Sequence, residues 1–496
     1  MSDTQLPNTR TTPASASQLA ARRLFVRNST LGLGAIALAS LCPRIASSQQ
    51  ADPAKLGQGV VQPLHFPPQA KRVIFLCQSG APSQIDLFDP KPGLKNRHGE
   101  ELPESVRGQQ RLTTMTSQQT AKPIVASPWR FERHGQSGLE LSELLPFTGQ
   151  VADELCVVRS LYTEAINHDP AITFLQTGSE QPGRPGWGAW VSYALGSEND
   201  TLPTFCVFIS GGEPGDQPLN GRLWGPGFLP TRHQGVKFRS HGDPVLYLAN
   251  PAGIDAARRR RLLDRLAELQ RIHGQSAGNE DSVDAWIKQF ELAVGMQTAV
   301  PELVDLSHET ARGIDLYGED ARRPGTFAAN CLLARRLVER GVRFVQLYHR
   351  GWDHHYHLPS KLPAKCRQVD QPAAALVLDL KQRGLLDETL VVWAGEFGRT
   401  IYCQGALTDG DFGRDHHPRC FSVWLAGGGV RAGAVVGRTD EFSYNVSENP
   451  VHIHDLQATV LHLLGIDHER LTFRAQGRDF RLTDIAGRVV PAIVRG

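Results

Sequence analysis

The chain has 496 residues, 40% hydrophobic and 21% charged, with a formal net charge of +2. That length holds one large α/β domain with insertions, or two domains. The near-neutral balance gives no global drive towards nucleic acid or an anionic surface, and the absence of a run of about 20 apolar residues after residue 50 excludes a membrane-spanning domain there.

The chain opens with a targeting pattern. Arg22-Arg23-Leu24-Phe25-Val26-Arg27 has the form of a twin-arginine motif, followed by an apolar stretch from Leu31 to Leu41 and the polar Ser47-Ser48-Gln49-Gln50. The stretch is too short to span a bilayer and fits a signal h-region. Residues 1–50 are therefore expected to be a signal peptide and its flank, carrying the protein through the twin-arginine machinery to the periplasm or cell envelope. Cys42 follows a bulky leucine, a poor lipoprotein acceptor. The remaining seven cysteines are scattered, with no CxxC pair, which excludes a zinc ribbon or a dithiol redox motif.

Residues 51–70 are Pro-rich and read as a surface wrap. Six apolar runs follow, at 72–77, 155–160, 204–209, 341–347, 389–394 and 421–426. Each is short, bounded by turn residues and lacks alternation, as expected of strands buried on both faces of a parallel sheet. Helical patterns over Phe327 to Arg340, Pro372 to Arg383 and Ile453 to Leu464 separate or follow them. Strand and helix in alternation predict an α/β fold, a doubly wound, mostly parallel sheet with helices on both faces. Residues 254–314 lack strand signals and read as a helical insertion or cap inside a domain spanning 65–490; Arg258 to Arg261 within it read as a solvated helix face.

In such sheets the C-terminal strand ends deliver the functional residues. After the first run, Asp86 is the first candidate metal ligand, with Asp89 read as a turn residue before Pro90. After the second comes Asn167-His168-Asp169. After the fourth comes His349-Arg350-Gly351-Trp352-Asp353-His354-His355-Tyr356-His357, the densest ligand cluster in the chain. Extended backbone there would put Asp353, His355 and His357 on one face. After the fifth comes Gly395-Glu396-Phe397-Gly398-Arg399-Thr400, and before the sixth Gly413-Arg414-Asp415-His416-His417-Pro418. Asp and His together suit a divalent metal such as zinc, manganese or iron, while Arg399 and Arg414 are candidate bidentate oxyanion donors. Asp455 reads as a helix N-cap.

Residues 168–178, His-Asp-Pro-Ala-Ile-Thr-Phe-Leu-Gln-Thr-Gly, resemble the sulfatase signature Cys-x-Pro-x-Arg-x-x-Leu-x-Thr-Gly. Pro170, Leu175, Thr177 and Gly178 are in register, whereas His168 stands at the nucleophile precursor and Ile172 at the arginine. With Pro82 to Pro92, Gly351 to His355, Gly395 to Thr400 and Gly413 to Pro418, the chain resembles the domain of unknown function 1501 (DUF1501) family of the alkaline-phosphatase/sulfatase superfamily.

That resemblance implies an alkaline-phosphatase-like fold and one or two divalent ions, zinc, manganese, iron or calcium. The metal set is expected to be Asp86, Asp353, His355, Glu396, His416 and His417, with Glu396 at the superfamily's acidic position. His168, Arg399 and Arg414 are the expected catalytic residues, His168 as acid/base or additional ligand and the arginines on the oxyanion. The expected activity is hydrolysis of a sulfate or phosphate ester by metal-activated water, since the usual Cys or Ser nucleophile is absent. The expected partner is a small or polymeric anionic ester. The alternative is a non-catalytic, metal-containing binding protein for sulfated or phosphorylated polysaccharide.

Overall fold

The computed structural model describes residues 59–496 apart from 214, 215, 240–242, 246, 247, 249, 251, 252, 278, 279 and 409. The expected export segment lies outside the described residues.

The first strand, β1 (Arg72–Gln78), alternates Ile74 and Leu76 into one apolar layer and Val73, Phe75 and Cys77 into another, so it is buried on both faces. Two parallel neighbours flank it, β5 (Phe344–Arg350) and β6 (Thr389–Ala394). Next to β5 lie β3 (Phe205–Gly211) and β4 (Val236–Lys237), again parallel. On the other side β9 (Phe421–Ala426) runs antiparallel to both β6 and β2 (Leu155–Tyr162). Short strands β10 (Val435–Val436) and β11 (Val451–His452) extend β2 in parallel. The nine-stranded sheet thus has the order β10-β2-β9-β6-β1-β5-β3-β4, with β11 also on β2. All six predicted runs form strands in it, and the chain has the expected mostly parallel α/β architecture.

Helices cover both faces. On one, α5 (Phe327–Glu339) and α6 (Leu358–Gln382) pack against Ile74, Val345 and Val391. On the other lie α1 (His168–Thr177), α2 (Trp187–Leu195) and α7 (Ile453–Leu463). Between β4 and α5 come α3 (Ala256–Ala277) and α4 (Glu280–Val304), in the stretch predicted to be helical. One helix start and one helix cap differ from expectation. Helix α6 begins at Leu358 and carries Pro363 and Pro372 inside it, so the proline taken as a start is tolerated within a helix whose inner side is buried. The N-cap of α7 is His452, and Asp455 is the third residue of a capping box, accepting the His452 N–H, the reciprocal arrangement that satisfies two orphan donors.

Seven cysteines, Cys77, Cys156, Cys206, Cys331, Cys366, Cys403 and Cys420, are all free and buried. Among the described residues no helix is long and apolar enough to cross a membrane.

Candidate metal centre

The C-terminal ends of β1, β2, β5 and β6 converge on one site. After β2 the chain enters α1, whose first residue is His168. The signature positions retained here are structural. Leu175 is buried, Thr177 Oγ1 donates to Thr173 O (2.8 Å), and Gly178 closes the helix in the left-handed region at φ 69°. A Cβ at Gly178 would lie 1.7 Å from Leu482 O. Ile172, where the resemblance expects arginine, is buried in the apolar layer.

After β5 the chain turns tightly, with the His354 N–H donating to Trp352 O (2.9 Å) and the His355 N–H to Asp353 O (3.2 Å). This loop is gripped by backbone on both sides. At Gly80 (φ 110°) a side chain would come within 2.7 Å of Asp353 N, and at Gly413 within 1.7 Å of His355 O. Glycine is required at both because only a bare backbone approaches so closely. The loop after β6 forms a hairpin of β7 (Gly398–Cys403) and β8 (Arg414–His417), whose register sets His416 opposite Arg399.

These elements bring His168, Asp353, His355 and His416 together, with one ligand atom from each lying within 4.8 Å of the others. Asp353 Oδ1 is the hub, 3.1 Å from His168 Nε2, 2.8 Å from His355 Nε2 and 3.4 Å from His416 Nε2. Nε2 of His168 and of His416 is buried and has no hydrogen-bond partner. The opposite nitrogens are all engaged by oxygen acceptors. His168 Nδ1 lies 2.6 Å from Glu396 Oε1, His355 Nδ1 2.6 Å from Gln404 Oε1, and His416 Nδ1 2.8 Å from Ile166 O. A backbone carbonyl or amide oxygen can only accept, so His355 and His416 carry their proton on Nδ1 and turn Nε2 lone pairs inward.

Burial lowers the pKa of His416 to about 4, with Arg399 and His168 adding to the fall against the Asp353 contact, so it is neutral at pH 7. Burial also disfavours charge on His168, but the adjacent Asp353 carboxylate and the Glu396 carboxylate bonded to Nδ1 outweigh it and raise its pKa. Burial pushes the Asp353 carboxyl up, yet the Arg399 guanidinium and the three imidazoles hold it far below the usual carboxylate range. The Nε2 lone pairs of His355 and His416 thus face the same point as the Asp353 carboxylate. The set therefore fits a divalent metal, as the orphaned Nε2 atoms indicate, and the Nδ1 acceptors are the outer partners that metal-bound histidines ordinarily have. Phe397 walls the site from behind, its ring centroid 4.9 Å from that of His168 and 4.7 Å from that of His416. Asp353 is one-third exposed, so solvent enters on the Asp353–His355 side.

The other predicted site residues lie elsewhere. Glu396 is fully buried one layer out, its Oε1 accepting from His168 and from the Gly80 N–H (2.9 Å). Asp86 is not in the cluster; it pairs with Arg414, whose Nε is 2.8 Å from Oδ2 and whose Nη2 is 3.2 Å from Oδ1, and Ser83 Oγ donates to it as well. The remaining Arg414 donors go to the carbonyls of Thr400, Ile401 and Val125. No donor of Arg414 is left for an oxyanion. Arg399 commits four of its five N–H donors, to Ala81 O, Gly80 O, Arg414 O and, at 2.6 Å, Asp353 Oδ1. His417 points away, with Nε2 2.6 Å from Tyr444 O and Nδ1 3.1 Å from Gln110 Nε2. His357, expected beside His355 on an extended run, turns off at φ 59° and pairs with Asp411. Gln404 and the Ile166 carbonyl were missed. A main-chain oxygen leaves no sequence signal, and Gln404 sits alone at the end of β7.

A family model described as a protein of unknown function (DUF1501) matches residues 70–494. No curated protein matches the chain. Among solved structures, a protein in the alkaline phosphatase superfamily from Vibrio parahaemolyticus is 12% identical, with 82% of this chain and 69% of that chain covered and a TM-score of 0.35. A sulfatase from Pseudoalteromonas sp. is 12% identical, with 81% and 68% covered and a TM-score of 0.33. A phosphonate monoester hydrolase from Silicibacter pomeroyi is 11% identical, with 65% and 68% covered and a TM-score of 0.27. Likeness at this level assigns no activity.

Proposed function

We propose, from the premise that the chain belongs to the DUF1501 family, that it is an exported, metal-dependent hydrolase of sulfate or phosphate esters. One observation carries the proposal: three imidazole Nε2 atoms and the Asp353 carboxylate converge on a point open to solvent on one side. His168, Asp353, His355 and His416 would hold the ion. A divalent ion there would supply Lewis acidity towards an ester oxygen and make a coordinated water acidic near neutral pH.

The chain's own residues define the rest. At the N-terminus of α1, where the resemblance expects a nucleophile, His168 has one nitrogen on Glu396 and the other turned to the hub. It is thus neither a free nucleophile nor a free base, and water is the attacking group. Phe397 and the buried Glu396 close the back of the site, so a proton released in hydrolysis would pass to solvent on the Asp353–His355 side. Asp353 stays ionised across the working pH range because Arg399 holds it so.

The test is a screen of chelated and reloaded protein against aryl sulfates and phosphate mono- and diesters. Turnover should appear on reloading and vanish in His355→Ala. One observation favours the second reading, a metal-containing protein that binds sulfated or phosphorylated polysaccharide: all five N–H donors of Arg414 and four of the five of Arg399 go to internal acceptors. Metal-loaded protein that binds such polymers but turns over no ester would favour it. Export rests on Arg22 and Arg23; Arg22→Lys/Arg23→Lys should keep the protein in the cytoplasm, and unchanged export would remove the twin-arginine route.

A further inference from the structure

The four inner residues leave open how many ions bind and of what class, and both follow from what stands behind them. Glu396 occupies the acidic position at which the resemblance implies a metal ligand. Its Oε1 is tied to two donors, His168 Nδ1 at 2.6 Å and the Gly80 N–H at 2.9 Å, and the residue is fully buried; its Oε2 takes no hydrogen bond, and ligation by that oxygen is what shifted bands in Glu396→Gln would reveal. Ligation by Oε1 would break both contacts and strip His168 of its outer partner. The positions that would build a second ion site are also spent. Gln78, directly after β1, accepts from Trp352 Nε1 (3.0 Å), Phe397 is apolar, Asp86 is paired with Arg414, and His417 faces Tyr444 O.

The inner set is therefore three imidazoles and one carboxylate, and Arg399 already neutralises that carboxylate. Calcium takes six to eight oxygens and magnesium keeps octahedral oxygen and water shells. Imidazole-rich sets favour borderline transition ions such as zinc or iron(II). In a tetrahedral set about 2 Å from the ion, ligand atoms sit roughly 3.4 Å apart, close to the 2.8–3.4 Å separations around Asp353 Oδ1.

We propose that the centre is mononuclear and takes one borderline transition ion per chain, and that Glu396 is a positioning residue. Through its Oε1 it fixes the His168 ring and tautomer, as Gln404 does for His355 and the Ile166 carbonyl for His416. The inference rests on the metal set of the proposed function but not on turnover.

The test uses the full chain stripped with chelator and titrated with Co²⁺, Zn²⁺, Ca²⁺ and Mg²⁺ alone, read by calorimetry and by the visible d–d bands of Co²⁺. Wild type should bind one Co²⁺ per chain, displaced by Zn²⁺ and unaffected by millimolar Ca²⁺ or Mg²⁺. Glu396→Gln should bind one Co²⁺ with the same band positions and an affinity about 10- to 100-fold weaker, the usual effect of losing an outer-shell partner. A merely structural role for Glu396 would lower the melting temperature of the stripped protein and leave the affinity unchanged. Should Glu396→Gln fail to fold, Gln404→Leu gives the same readout on His355, weakened binding with an unshifted spectrum. A second equivalent of Co²⁺, shifted bands in Glu396→Gln, or displacement by Ca²⁺ would overturn the inference and leave the hydrolase reading standing. Absence of ester turnover with the expected binding would do the reverse, and a wild type that binds none of these ions would overturn both.

Discussion

Substitution of Asp86 by asparagine separates two roles for one residue. The sequence pattern offers Asp86 as a ligand, whereas the structure seals it, wholly buried, against an equally buried Arg414 at 2.8 and 3.2 Å. Asp86→Asn preserves shape and one acceptor but leaves the guanidinium uncompensated in the interior. Breaking one side of a buried pair costs about 3–5 kcal/mol, a large part of the roughly 5–15 kcal/mol that holds a domain folded. Arg414→Met should cost more, because it also orphans the carbonyls of Thr400, Ile401 and Val125. The assay is urea unfolding followed by tryptophan fluorescence, paired with calorimetric metal titration of the folded variant. The expected result is a large fall in midpoint with metal affinity within about twofold of wild type, since the pair lies outside the ligand set. A variant of normal stability that had lost the metal would refute this reasoning and make Asp86 a ligand.

Two further outcomes follow from the same contacts. Arg399→Lys keeps the charge but cannot serve Ala81 O, Gly80 O, Arg414 O and Asp353 together; at about 1–3 kcal/mol per unsatisfied buried group, denaturant midpoints should fall and metal affinity with them, and full stability would mean that other donors replace the fork. Acid should destabilise the protein well above carboxylate pKa values. Burial pushes His349 and His233 down to about 3 and His417 to about 4, so below about pH 6.5 the unfolded chain binds protons that the native state refuses. Stability then falls as pH drops towards 4 by roughly 1.4 kcal/mol per unit for each such histidine. Urea midpoints of chelated protein between pH 7.5 and 4.5 should show that slope, and His349→Gln should flatten it; a level profile would refute it.

The fold was legible because each core strand is an uninterrupted apolar run. Arg72–Cys77 needs burial on both faces, and only a sheet with helices on each side supplies that. The site was legible in part. His168, Asp353 and His355 stand out as polar residues just past apolar strands, and His416 as one just before an apolar strand. Their neighbours were harder to rank, because Asp86, Glu396, His417 and the two arginines are the right chemical types next to the right strands. Which of them turns inward is decided by long-range pairing, Asp86 with Arg414 across 328 positions and Glu396 with His168 across 228. Period-2 reasoning failed at His357 because the backbone after β5 folds back on itself at His354 and His355.

The seven free, buried thiols give this core a built-in clock. A small thiol reagent reaches each cysteine only when the surrounding structure opens, so labelling rates report local opening free energies. Cys77 on β1 and Cys206 on β3 lie within the sheet, and Cys403 lies on the β7–β8 hairpin that carries His416. If loading the centre slows labelling at Cys403 far more than at Cys206, the hairpin is the segment that the ion clamps. Because the described residues close no disulfide, the folding of this core requires no oxidant.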